Sequence, residues 1–139
     1  MKKFKMVEAP MNLVTMPQGW LICYAMSGDF NHDMGLGKLM NDTFHLTQKV
    51  DETLEAGTTK IVGNVAAIIV KENCYDRVDT TYLRDAVRDL REQCEASGID
   101  LLAMPKICTG GNGLKWKEVK RIIKDEFAGS KIFIMVCDR

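Results

Sequence analysis

"VAAIIVKENCYDRVDTTYLRDAVRDLREQCEASGIDLLAM", residues 65–104, decides the fold. Val65–Val70 is an unbroken apolar run, the pattern of a strand buried on both faces. Beyond it Leu83, Ala86, Val87, Leu90 and Cys94 recur at helical spacing, so one side of a helix is apolar. Asp79 or Thr80 can cap the start of that helix, and Gly98 suits the left-handed residue that stops it. "IDLLAM", Ile99–Met104, is the next strand, and Pro105 breaks it.

The same alternation extends in both directions. Upstream, "KIVGN" pairs with Val65–Val70 as a hairpin turning at Gly63-Asn64. "WLICYAM", Trp20–Met26, is another buried strand. Leu36, Leu39, Met40 and Phe44 then form a helical stripe. Downstream, "LKWKEVKRIIKDEF" sets Trp116, Val119, Ile122, Ile123 and Phe127 on one helix face, and "KIFIMVC", Lys131–Cys137, is the last strand. Buried strands alternating with amphipathic helices imply one α/β domain over residues 1–139, a three-layer α/β/α arrangement with a central mixed sheet.

Composition narrows the partners. Nineteen basic residues balance nineteen acidic ones, so no broad field draws the chain to nucleic acid or to an acidic membrane. No apolar stretch is long enough to span a bilayer, and "MKKFKMVEAP" has no signal-peptide core behind its lysines. The five cysteines are scattered and never spaced as CxxC, which favours reduced thiols in a cytoplasmic setting over disulfides or a zinc site.

Ligands of open α/β sheets bind beyond the carboxyl ends of the strands. Three strand exits here carry polar or glycine-rich sequence: "SGDFNHDMGLG" after Met26, "KENCYDR" after Val70 and "PKICTGGNGLKW" after Met104. Two of them lead straight into helices, whose first N–H groups lack intrahelical acceptors and favour anions. Glycines let a phosphate approach the backbone without meeting a Cβ; the plainer reading is that Gly35 and Gly37 only shape a turn. Standard nucleotide motifs fail. His32 stands where a P-loop needs its first glycine, and Met40 stands where a dinucleotide fingerprint needs its third.

Taken together, the three exits make the sequence resemble a macrodomain, the ADP-ribose-binding α/β module. It looks closest to the branch of the terminal ADP-ribose protein glycohydrolase. The carriers are "SGDFNHDMGLGKL", Lys71 in "IIVKE", "TTY" at residues 80–82 and above all "MPKICTGGNGLKW", residues 104–116. The resemblance implies that Met34, Gly35, Leu36 and Gly37 wrap the distal ribose and diphosphate, with Ser27 beside that ribose. Thr109, Gly110, Gly111 and Gly113 would offer backbone donors from the other side. Lys71 resembles the lysine that attacks the anomeric carbon of ADP-ribose during its removal from acidic side chains. The implied ligand is ADP-ribose, free or attached to a protein or small molecule. No cofactor or metal is implied, and small free-standing macrodomains are generally monomers.

Two positions depart from the family pattern, and each loses a carboxylate. Asn112 replaces the aspartate that handles the proton on lysine and sugar, and an amide cannot act as a general base. Asn12 replaces the aspartate that grips the adenine amine, yet an amide oxygen still accepts an N–H. The loop before the glycines adds Asp29, His32 and Asp33 as proton carriers near the distal ribose, or as ordinary solvated loop residues. "GGNGLKW" is also compatible with phosphatase-type macrodomains that cleave ADP-ribose 1″-phosphate, with His32 as the base. The sequence thus supports a hydrolase, a non-catalytic reader, or a generic anion-binding domain. Taken without the resemblance, Lys71 is a solvated strand end and Cys108 a passive loop thiol.

Overall fold

The computed structural model of the protein describes residues 3–110 and 113–138. The apolar run forms β4 (Val65–Lys71), buried along its length except at Lys71. Beside it lie β2 (Leu21–Ser27), parallel, and β3 (Thr59–Val62), antiparallel through the Gly63-Asn64 turn. Beyond β2 come β5 (Leu101–Met104), β6 (Phe133–Cys137) and β1 (Lys5–Ala9), each parallel to its neighbour. The order across the sheet is β1-β6-β5-β2-β4-β3, and β3 alone runs against the rest. The expected mixed sheet is present, and the carboxyl ends of its five parallel strands open along one edge.

Two apolar layers explain why β4 has no polar face. Ala66, Ile68 and Val70 pack toward α2 (Thr80–Ser97) and α3 (Trp116–Phe127), meeting Leu83, Val87, Leu90, Val119, Ile123 and Phe127. Val65, Ala67 and Ile69 turn the other way, toward Met40 of α1 (Gly35–Phe44) and toward Leu46 and Val50. Alternate residues of a strand point to opposite faces, so a strand sandwiched between helices must be apolar throughout. Each fully buried Leu or Ile contributes about 1.5–3 kcal/mol relative to exposure.

Polar contacts hold the layers in register. The Asp79 carboxylate accepts the Thr81 and Tyr82 N–H groups at the start of α2, and Gly98 ends the helix at φ 71°. The Glu126 carboxylate accepts from Arg84 at 2.8 Å and from Arg88 at 2.9 Å, joining α3 to α2. Those hydrogen bonds, Arg88 first, hold the Glu126 carboxyl below its usual range against the opposing effect of burial. At the β3 edge, the Thr59 N–H donates to Asp89, its hydroxyl to the Ala86 carbonyl, and Gln93 donates to the Thr59 carbonyl.

Two elements depart from the sequence reading. β1 is not expected from its sequence, because "KMVEA" lacks a continuous apolar run. As an edge strand with one neighbour it needs none, and Glu8 fastens it to Lys106, Lys120 and Trp116. On α1 the expected stripe holds at Met40 and Phe44 but not at Leu36 and Leu39. Leu36 and Leu39 are 38% and 48% exposed, whereas Gly37, Met40 and Phe44 face inward. The turn that packs most tightly uses a glycine, which a count of apolar side chains passes over. Among the described residues, no helix is long and apolar enough to cross a membrane.

Candidate functional site

The site is assembled where β2 and β4 end side by side. Ser27 pairs with Lys71 after a register shift between Met26 and Ser27. Just beyond, the Gly28 N–H donates to the Lys71 carbonyl at 2.8 Å, and the Asp29 N–H to Glu72 at 3.0 Å. The Leu54 N–H closes the third side on the Gly28 carbonyl at 2.9 Å. A Cβ on Gly28 would lie 2.3 Å from the Leu54 oxygen, so only glycine lets these three segments meet. Asp29 then staples the two exits together. Its carboxylate accepts the Ser27 hydroxyl at 2.5 Å, the Cys74 N–H at 3.1 Å and the Asn31 N–H at 3.4 Å. Burial pushes its pKa up, but these bonds act together the other way and leave it lowered.

Three cavities surround this junction, and Lys71 lines all of them. The largest, 460 Å³, also touches Met26, Ser27, Asn31, Asp33, Met34 and Tyr75. It falls in the size range of small-molecule sites, about 300–1,000 Å³. Cavities of 210 and 230 Å³ share Val78, Gly110 and Gly113 with Lys71. Lys71 is half-buried, and its Nζ donates to the Cys74 carbonyl at 2.8 Å. The strand-end lysine thus stands at the common wall of a cleft between the exits of β2, β4 and β5.

The β5 exit is a tight curl. The Leu114 N–H donates to the Cys108 carbonyl at 2.7 Å, the Gly113 N–H to Gly110 at 2.9 Å and the Thr109 hydroxyl to Lys106 at 2.7 Å. A Cβ on Gly113 would lie 2.3 Å from the Cys108 oxygen, so this glycine serves close packing. Its N–H is already used within the loop and is not a spare donor for a phosphate. Cys108 adopts φ 64°, a left-handed conformation that costs a non-glycine residue on the order of 1 kcal/mol. Burial pushes its thiol up to about 12, with the positive charge of Lys71 acting the other way. That thiol stays protonated at neutral pH and is no nucleophile.

The β2 exit leads to α1. Met34, just before the helix, gives it no side-chain cap, so the first-turn N–H groups lack the acceptor that Asp79 supplies to α2. Gly35 adopts φ 61° with open space around it. Gly37 faces inward instead, where a Cβ would meet the Met26 methyl at 2.9 Å. Its missing side chain makes room for Met26, a wall of the cleft, rather than for a phosphate.

His32 is corrected by its surroundings. It is 6% exposed, its Nδ1 lies 2.8 Å from the Phe30 carbonyl and its Nε2 2.6 Å from the Tyr24 hydroxyl. A carbonyl can only accept, so Nδ1 carries the proton and Nε2 accepts from Tyr24. Burial lowers the His32 pKa, and burial raises that of Tyr24. Both ring nitrogens are engaged and the ring lines none of the three cavities, so His32 anchors the loop instead of serving as a base. Asn12 is likewise occupied: its side-chain oxygen accepts the Val14 N–H at 3.1 Å and caps a short 3₁₀ turn, Leu13–Thr15. Of the other expected residues, Ser27, Met34, Lys71, Gly110 and Gly113 line the cleft, while Asp29 supports it from outside. Gly111 and Asn112 lie outside the described residues. Asn31, Cys74, Tyr75 and Val78 were not singled out from sequence, and Asp33 was named only as a loop proton carrier near the distal ribose. One signal was available, an aromatic residue in the polar "KENCYDR" exit. Among the described residues, no group of three or more His, Cys, Asp or Glu could hold a metal ion.

Fold and cleft together define an α/β domain with a candidate ligand cleft at the carboxyl ends of parallel strands, around a lysine and a glycine curl. The chain belongs to the macro domain family, whose profile matches residues 45–123. It is 23% identical over 130 residues to the bovine (Bos taurus) ADP-ribose glycohydrolase OARD1, covering 90% of this chain and 86% of that protein. Among solved structures, the macrodomain of Thermus aquaticus DarG superposes with a TM-score of 0.83 at 15% identity, covering 98% of this chain and 99% of the other. Thermosipho africanus DarTG in complex with ADP-ribose superposes with a TM-score of 0.77 at 14% identity, covering 95% of this chain and 41% of the other.

Proposed function

We propose that the protein binds ADP-ribose in the cleft around Lys71 and hydrolyses an ADP-ribosyl ester to an acidic side chain. The observation that carries this reading is the position of Lys71, half-buried at the end of β4 and lining all three cavities. The diphosphate would lie between the glycine curl after β5 and the uncapped start of α1, whose first-turn N–H groups and helix dipole favour an anion. The distal ribose would then reach Ser27 and Lys71. The likeness to the bovine glycohydrolase and to a structure holding ADP-ribose supports the same assignment.

In this mechanism the neutral Lys71 amine attacks the anomeric carbon, and the carbon–oxygen bond to the carboxylate breaks with its electron pair. The sugar ring then opens to an imine on Lys71. Water hydrolyses that imine, regenerating the amine and releasing ADP-ribose. Lys71 must shed its proton before the first bond forms, a task the family gives to the aspartate replaced here by Asn112. That replacement favours a second reading, a non-catalytic reader of ADP-ribose that keeps the cleft. Incubation with a glutamate-linked ADP-ribosyl peptide separates the two. Turnover lost in Lys71→Ala supports the hydrolase, whereas equal silence of both proteins, with ADP-ribose binding intact, leaves the reader.

A further inference from the structure

Beyond Lys71 on the β2 side, the 460 Å³ cavity has features that ADP-ribose itself does not require. Among the described residues it is walled by Met26, Met34, Cys74 and Tyr75, with Asp33 as its single acidic residue and no residue of the glycine curl. Tyr75 and Met34 are 83% and 81% exposed, the highest values among the large hydrophobics of the described residues. Tyr75 also lines the 230 Å³ cavity on the other side of Lys71. The wall is held rigid beneath them. Asn31 spans from the Asp33 N–H, accepted at 3.0 Å, to the Cys74 sulfur at 3.4 Å, and Asp29 fastens the Cys74 N–H. Lys71, the one cation of the wall among the described residues, turns its Nζ to the Cys74 carbonyl.

We propose that this cavity receives a planar, positively charged heterocycle joined through nitrogen to the anomeric carbon, so that intact NAD⁺ is a ligand of the site. The inference rests on the ADP-ribose reading above and adds to it the group that lies past the distal ribose. Apolar walls with a few polar groups suit a flat ring, and an exposed tyrosine offers it a π-face. Asp33 supplies charge complementarity: with the Lys71 Nζ turned to the Cys74 carbonyl, a carboxylate beside an aromatic wall favours a delocalised cation. The proposal concerns binding and includes no bond-breaking step.

The test is calorimetric titration of the wild-type chain with ADP-ribose, NAD⁺ and NADH, repeated for Tyr75→Ala and Asp33→Asn. NAD⁺ should bind at least as tightly as ADP-ribose and more tightly than NADH. Tyr75→Ala should weaken NAD⁺ about tenfold, in line with the loss of one stacked ring, and several times more than it weakens ADP-ribose. Asp33→Asn should remove the preference for NAD⁺ over NADH. NAD⁺ binding more than tenfold weaker than ADP-ribose, or equal losses for both ligands in Tyr75→Ala, overturns the proposal while leaving the ADP-ribose site standing. Failure of all three ligands to bind the folded wild type overturns both.

Discussion

Replacing Gly28 by alanine is the perturbation on which the geometry speaks most sharply. The new methyl would sit 2.3 Å from the Leu54 oxygen and 3.1 Å from the Glu72 oxygen, where ordinary contact begins near 3.4 Å. Both neighbours are backbone, so no rotamer change relieves the clash, and the segments must part by about 1 Å. A shift of that size breaks the Leu54 to Gly28 bond and stretches those from Gly28 to Lys71 and from Asp29 to Glu72, now 2.8–3.0 Å. At about 1 kcal/mol for each hydrogen bond, the loss is roughly 3 kcal/mol. For a chain of this length that lowers the melting temperature by about 10 °C. Gly110→Ala is the control, because none of the described residues lies within 4 Å of its Cβ and its φ is not positive; it should melt within about 2 °C of wild type. Differential scanning calorimetry decides the matter. A Gly28→Ala protein melting with the wild type would mean that the three segments do not meet as described, and the placement of Lys71 would fall with them.

Other perturbations probe single features. Tyr24→Phe should cost about 1 kcal/mol by leaving the buried His32 Nε2 without its donor, read as a lower urea midpoint at unchanged slope. The His32 pKa is lowered in the folded protein by burial, so the unfolded chain takes up the proton first as pH falls. The stability contributed by neutral His32 is therefore full above about pH 6.5 and declines below it. Melting temperatures from pH 7.5 to 5.5 should show that decline, and a flat profile would contradict the buried neutral ring. Asn112→Asp should raise ester hydrolysis if Lys71 is the nucleophile and lacks a proton acceptor; unchanged turnover counts against that role.

The sheet and helices were legible because their signals are local and repetitive. β4 is apolar at every position since helices cover both of its faces, and α2 announces itself with Asp79 at one end and Gly98 at the other. β1 was not, since a polar edge strand is specified by its neighbour and by the ties of Glu8 rather than by its own pattern. In the site, the strand-end rule and the family motifs pointed to Lys71, Ser27 and the glycine curl. What each glycine does was hidden. Gly37 makes room for Met26 and Gly113 for the Cys108 carbonyl, facts that depend on residues far along the chain or on loop closure. The burial of His32 was hidden for the same reason, because Tyr24 comes into reach only when the β2 exit folds back over its own strand.

The central claim is that ADP-ribose lies in the cleft with its distal ribose against Lys71. A crystal structure grown with ADP-ribose tests it most directly. The account predicts the diphosphate between the start of α1 and the curl after β5, and the anomeric carbon within contact distance of the Lys71 Nζ. ADP-ribose seated instead in the 340 Å³ cavity between α2 and α3, beside Arg84 and Arg121, or an empty cleft at saturating ligand, would contradict it.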